Sequence, residues 1–175
     1  RNWKRDIEKA IQSNVQHISA YNLTKEKHTS LYNDVSKGKY SMPNQEVCSD
    51  QYQQLIENLA KSGFNQYEVS NFSSKAFESK HNSSYWSSIA YLGVGPSAHS
   101  YDGKNNRRWN VSNNKKYIEG LVTNGDYFEI ETLSEFEIAN EIILLGLRSD
   151  LGESMKKIKK LLNDNQFQVF NKQVD

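Results

Sequence analysis

Apolar positions recur along this chain at two different periods. Trp3, Ile7, Ala10 and Ile11 fall at helical spacing and predict an amphipathic helix over residues 3–13. From Gln16 to Ala20, apolar or small residues alternate with polar ones, which predicts a short strand. A polar stretch follows over 24–42, with one helical turn expected around Leu31, Tyr32 and Val35. Asn44 then caps the clearest helix, in which Cys48, Tyr52, Leu55 and Leu59 line one face with Ile56 beside them. Gly63 ends that helix, and Gln66–Phe72 reads as a second strand. Helix before strand, twice over, is the rhythm of a parallel α/β unit.

The texture changes at Ser73. Up to Asn110 there is little periodicity, and aromatics interleave with glycines: Tyr85, Trp86, Tyr91, Gly93, Gly95, Tyr101 and Gly103. A long irregular stretch in a compact domain usually carries function or disorder. Helices return at 112–124 and again from Ser134. There Ser134 and Glu137 form a capping box, and Leu133 with Ile138 forms a hydrophobic staple. Met155, Ile158, Leu161 and Leu162 predict a last helix, followed by a possible strand at Phe167–Phe170. The expected organisation is an α/β portion over 1–110 and a mostly helical, incomplete domain over 111–175.

Charge narrows the function. Lys and Arg total 22 and Asp and Glu total 21 in 175 residues, a formal net charge of +1. That balance argues against nucleic-acid binding by a global positive field. It also disfavours an anionic membrane surface as the sole partner of a helical docking module at 112–175. No run approaches the roughly 20 apolar residues of a membrane span, and no signal peptide is seen. A lone cysteine, Cys48, excludes an internal disulfide framework and any site needing several thiolates from this chain. It is expected to be a small core residue, in a reducing and by default cytoplasmic compartment. The first residue is Arg1 rather than Met, so the chain is expected to be a piece of a longer protein.

Candidate chemistry centres on four histidines. His17 and His28 read as structural or solvated. His81 opens His81-Asn82-Ser83-Ser84-Tyr85-Trp86. In a helix, His81 and Tyr85 would lie one turn apart, offering a flat ligand both a ring wall and a hydrogen-bonding edge. Neutral imidazole is also an axial ligand of haem iron. A capped turn with Tyr85 and Trp86 in the core is the plainer reading of the same residues. His99 follows Gly93 and Gly95, which permit close approach of backbone to a ligand or simply make a tight turn. Arg107-Arg108-Trp109 could meet a carboxylate or phosphate, or form a surface pair lying over an aromatic.

Taken together, several segments resemble one family. They are His17–Thr24, Gln66–Phe72, His81–Trp86, Tyr91–Gly95, Ala98–Ser100, Arg107–Asn110 and Leu145–Arg148. In order and spacing they are similar to HemW-type proteins, relatives of oxygen-independent coproporphyrinogen III oxidase. The resemblance implies the C-terminal part of a partial (β/α) radical S-adenosylmethionine barrel followed by a mostly helical domain. It implies a haem chaperone that binds haem or a porphyrin and passes it to an accepting protein. The alternative is the oxidase itself, a radical oxidoreductase of porphyrin biosynthesis.

The whole protein would carry a [4Fe-4S] cluster and S-adenosylmethionine, but the three-cysteine motif is not in this chain, which by itself is expected to be inactive. The resemblance marks His81 as the haem-iron candidate, with Asn82, Tyr85 and Trp86 around it. His99 is a second candidate, and Ala20 and Tyr21 lie where a barrel strand meets the cofactor cavity. The strand over 16–23 would be left with an exposed edge, so a homodimer is expected.

Overall fold

The computed structural model describes residues 2–174, which fall into two compact units, one ending at Ser79 and the other starting at Lys80.

The first unit begins with α1 (Trp3–Gln12), capped by the Asn2 side chain, which accepts from the Arg5 N–H. Strand β1 (His17–Ser19) follows, then the short helix α2 (Ser30–Ser36) and the long α3 (Gln45–Lys61). The Asn44 carboxamide accepts from the Val47 N–H at 2.8 Å, as the expected cap requires. Past the end of α3, Gly63 sits at φ +84°, a conformation that favours a residue without Cβ. Strands β2 (Asn65–Glu68) and β3 (Asn71–Ser73) complete the unit.

The expected single strand over Gln66–Phe72 is therefore two strands. Glu68 accepts from the Ser70 N–H at 2.9 Å and from the Asn71 carboxamide, and this local pairing reverses the chain at 69–70. β3 folds back antiparallel to β2 and also pairs antiparallel with β1, giving the order β1-β3-β2. β1 and β2 consequently run parallel, as expected of an α/β unit, but β3 lies between them. β1 is an edge strand. Ile7, Leu55, Leu59, Phe64 and Phe72 form the buried cluster, with Trp3, Ile11, Ile18 and Ile56 packed against it. Cys48 is only half-buried, its Sγ 3.8 Å from Asn22 Oδ1, so it is not the core residue that its place on the apolar face suggested.

The second unit opens with α4 (Lys80–Trp86). Strands β4 (His99–Tyr101) and β5 (Asn106–Asn110) form a hairpin. Helix α5 (Asn114–Thr123) leads to β6 (Phe128–Thr132), which pairs antiparallel with β5 in the order β4-β5-β6. The expected boundary at 110/111 thus falls inside a unit whose sheet draws strands from both sides of it. β6 was not anticipated, although Phe-Glu-Ile-Glu-Thr alternates strictly.

Helix α6 (Glu135–Arg148) begins on the predicted capping box: Ser134 and Glu137 satisfy each other's backbone N–H. Two shorter helices follow, α7 (Met155–Leu161) and α8 (Asp164–Val174). The expected strand at Phe167–Phe170 is part of α8. Asn163 and Gln166 exchange side-chain to backbone hydrogen bonds at 3.0 Å each, which starts a helix where a strand was expected. Among the described residues, no helix is long and apolar enough to cross a membrane.

Candidate functional site

His81-Asn82-Ser83-Ser84-Tyr85-Trp86 is helical in the structure, so the condition attached to His81 is met. His81 Nε2 lies 3.2 Å from the Tyr85 hydroxyl, and the two rings meet edge to face at a centroid distance of 4.9 Å. The His81 side chain is exposed. One ring nitrogen is engaged by Tyr85, and the other has no hydrogen-bond partner among the described residues. Tyr85 is itself 39% exposed, so the plainer reading that placed it in the core does not hold. Trp86 is half-buried beneath the Arg148 guanidinium, 5.5 Å from its ring centroid, and its indole N–H is buried without a partner. Asn82 is half-buried on the same helix.

The Tyr85 ring also meets Tyr91 edge to face at 4.8 Å. Tyr91 in turn bridges Tyr101 through reciprocal backbone hydrogen bonds of 2.9 and 3.0 Å. These three tyrosines form one wall of a cavity of about 610 Å³. Ile138, Ile142 and Leu145 on α6 also line it. Burial of the Tyr91 and Tyr101 phenols pushes both pKa values above the ordinary tyrosine value, so these two stay uncharged at neutral pH. Arg107 and Glu141, both on the lining, form an ion pair. The anion expected for Arg107 is thus partly supplied by the chain's own carboxylate.

Arg108 takes the other expected role. Its guanidinium stacks over Phe128 at 4.2 Å and Tyr127 at 5.5 Å. His99 stands on β4 opposite Trp109, with ring centroids 6.3 Å apart, and does not line the cavity. Gly93 does allow a close approach, but to backbone. A Cβ there would lie 2.0 Å from the His99 carbonyl oxygen, so the missing side chain is needed to seat β4. Tyr91, Tyr101, Lys104, Glu141 and Lys160 were not singled out from the sequence. Their signal was weak, since each is an ordinary residue until the fold gathers them.

In the first unit, the Ala20 N–H donates to the Ser70 carbonyl at 2.8 Å just past β1, and Ala20 packs on the buried cluster. Tyr21 beside it is 72% exposed. Ala20 and Tyr21 therefore belong to one unit and the other five candidates to the other. His17 is structural, as expected, with Nε2 2.8 Å from the Tyr67 hydroxyl. His28 is exposed. Among the described residues, no three His, Cys, Asp or Glu side chains gather to hold a metal ion.

No protein-family model matches the chain. It is 35% identical over 161 residues to "Heme chaperone HemW" of Bacillus subtilis, an alignment covering 90% of this chain and 41% of that protein. It is 32% identical over 171 residues to the protein of the same name from Lactococcus lactis, covering 98% and 45%. The "Radical S-adenosyl methionine domain-containing protein 1, mitochondrial" of Danio rerio is 35% identical over 158 residues, covering 86% and 36%. Among solved structures, coproporphyrinogen III oxidase (HemN) from Escherichia coli, described as a radical SAM enzyme, superposes with a TM-score of 0.66. That superposition covers 88% of this chain and 38% of the enzyme at 15% identity, and it shows a shared fold. The chain spans less than half the length of these curated relatives.

Proposed function

We propose that this chain, a homologue of part of the HemW-type radical SAM proteins, is the C-terminal portion of a haem chaperone and holds haem at His81. The observation that carries this reading is the exposed imidazole of His81, set one helical turn from the Tyr85 ring at a centroid distance of 4.9 Å. An exposed imidazole can reach haem iron through Nε2 when the iron takes the place of the Tyr85 hydroxyl, 3.2 Å from that nitrogen. Tyr85 and Trp86 then contribute stacking, roughly 0.5–1.5 kcal/mol per aromatic contact. Asn82 lies on the same helix. His99, beside Trp109, is the second candidate ligand. Ala20 and Tyr21, at the end of β1, are assigned to the cofactor side of the barrel, where barrel chemistry is found.

Haem here is cargo, delivered to an accepting protein in the cytoplasm. The [4Fe-4S] cluster and S-adenosylmethionine belong to the whole protein. Cys48, the chain's single thiol, does not fit a cluster that needs three thiolates, so no step through the cluster is assigned to these residues. The free edge of β1 supports a homodimer through that strand.

The test is a haem titration of the intact protein that carries this chain. His81→Ala is expected to weaken binding severely and to shift the Soret band, while Tyr85→Phe and His99→Ala leave the spectrum close to wild type. Unchanged affinity and spectrum in His81→Ala, with loss in His99→Ala, would move the ligand to His99. No change in either would remove the residue-level case for a chaperone and favour the oxidase.

A further inference from the structure

The cavity beside Tyr85 carries an arrangement of charge that iron ligation does not use. Its volume of about 610 Å³ lies within the range of small-ligand sites, roughly 300–1,000 Å³. One wall is aromatic, another is aliphatic, and four cationic side chains are on the lining. Two of the four are paired: Arg107 with Glu141, and Lys157 with Glu153 at 2.8 Å. The other two, Lys104 and Lys160, have no ion-pair partner among the described residues.

The Lys104 backbone is set in place. Its carbonyl accepts from the Tyr101 hydroxyl at 2.7 Å, and its N–H donates to Asp102 at 2.8 Å. Lys160 stands one turn beyond Lys157 on α7. A cavity lined by rings and aliphatic side chains, with two lysines on its lining that have no ion-pair partner among the described residues, complements an apolar, aromatic molecule bearing two carboxylates.

We infer that Lys104 and Lys160 are a carboxylate-binding pair for the two acid side chains of a porphyrin-class ligand lying against Tyr85, Tyr91 and Tyr101. The inference rests on the haem reading and deepens it. Tyr85 joins the two parts, its ring in contact with both His81 and Tyr91. His81 would hold the metal, and the lysines would recognise the organic acid independently of it.

Independence from the metal supplies the experiment. The probe is metal-free protoporphyrin IX, added to the intact protein and followed by its fluorescence, with its dimethyl ester as the uncharged counterpart. Lys104→Ala/Lys160→Ala is expected to weaken binding of the diacid about tenfold, and Lys104→Arg/Lys160→Arg to retain it. The ester should bind wild type about as weakly as the diacid binds the double alanine variant. Added salt should weaken the wild-type complex and barely affect that of the variant. His81→Ala should keep the metal-free porphyrin.

Equal affinity of wild type for diacid and ester, or an unaffected double alanine variant, would overturn the lysine assignment while leaving His81 and haem standing. Displacement of the porphyrin by an equimolar nucleoside triphosphate would overturn it in favour of a phosphate site. Failure of wild type to bind either haem or the porphyrin would overturn both readings.

Discussion

The two units each contain a three-stranded, antiparallel-paired sheet, and they use it differently. In the first, the middle strand carries Phe72 into a cluster closed by Leu59, which is 0% exposed, and by Ile7, Leu55 and Phe64 from helix and loop. Of the polar residues buried there, Glu68 and Asn71 satisfy each other and shape a turn, while the Ser73 hydroxyl is buried without a partner. In the second, the buried apolar residues Leu133, Ala139, Ile142 and Ile158 sit on or beside helices, and tyrosines face a cavity. Both units have turns and caps, in Glu68 and Asn44 of the first and Asp102 and Ser134 of the second, so what differs is the space beside the sheet: filled in the first, and in the second left open next to the Arg107–Glu141 pair.

The sharpest break of this contrast is Phe72→Ala, which leaves a void at the centre of the first unit. It is expected to cost about 3–5 kcal/mol in urea unfolding, with amide exchange accelerated across α1, α3 and β1–β3. Retained protection in those elements would mean that the first core is not what holds the unit.

Gly93→Ala probes the second unit. A Cβ would collide with backbone at His99 rather than with a movable side chain, so a loss of about 1–3 kcal/mol is expected in thermal unfolding. A neutral result would show that β4 can shift without cost.

The smallest effect concerns pH. Asp102 accepts the backbone N–H groups of Lys104, Asn105 and Asn106 and the Asn106 carboxamide, and these bonds hold its pKa down at about 2. A carboxyl with a lowered folded-state pKa stabilises the fold above its unfolded value, about 3.9, and that contribution is lost as pH falls toward 2. Asp102→Ala should therefore melt earlier than wild type at pH 5, with the gap narrowing between about pH 4 and 2. A constant gap across that range would detach the turn from the carboxylate charge.

The sequence by itself determined what depends on neighbours three or four residues away. Asn44, Ser134 and Glu137 cap helices where their spacing predicted, because a cap is a bond between a side chain and its own first turn. The pairing of His81 with Tyr85 was legible for the same reason, as a contact across one helical turn. Short strands were harder. Gln66–Phe72 divides because Glu68 turns the chain, β6 was overlooked despite its alternation, and Phe167–Phe170, apolar at three of its four positions, lies in a helix. Three to five residues carry too little pattern to decide between forms, and the partner strand or an end cap decides instead. Only the tertiary structure paired Arg107 with Glu141 and set Tyr91, Tyr101, Lys104 and Lys160 around one cavity. Those residues come from a loop, two strands, a turn and two helices, and no local period links them. Their shared environment exists only once β5 has paired with β4 and β6 and α6 has packed with α7.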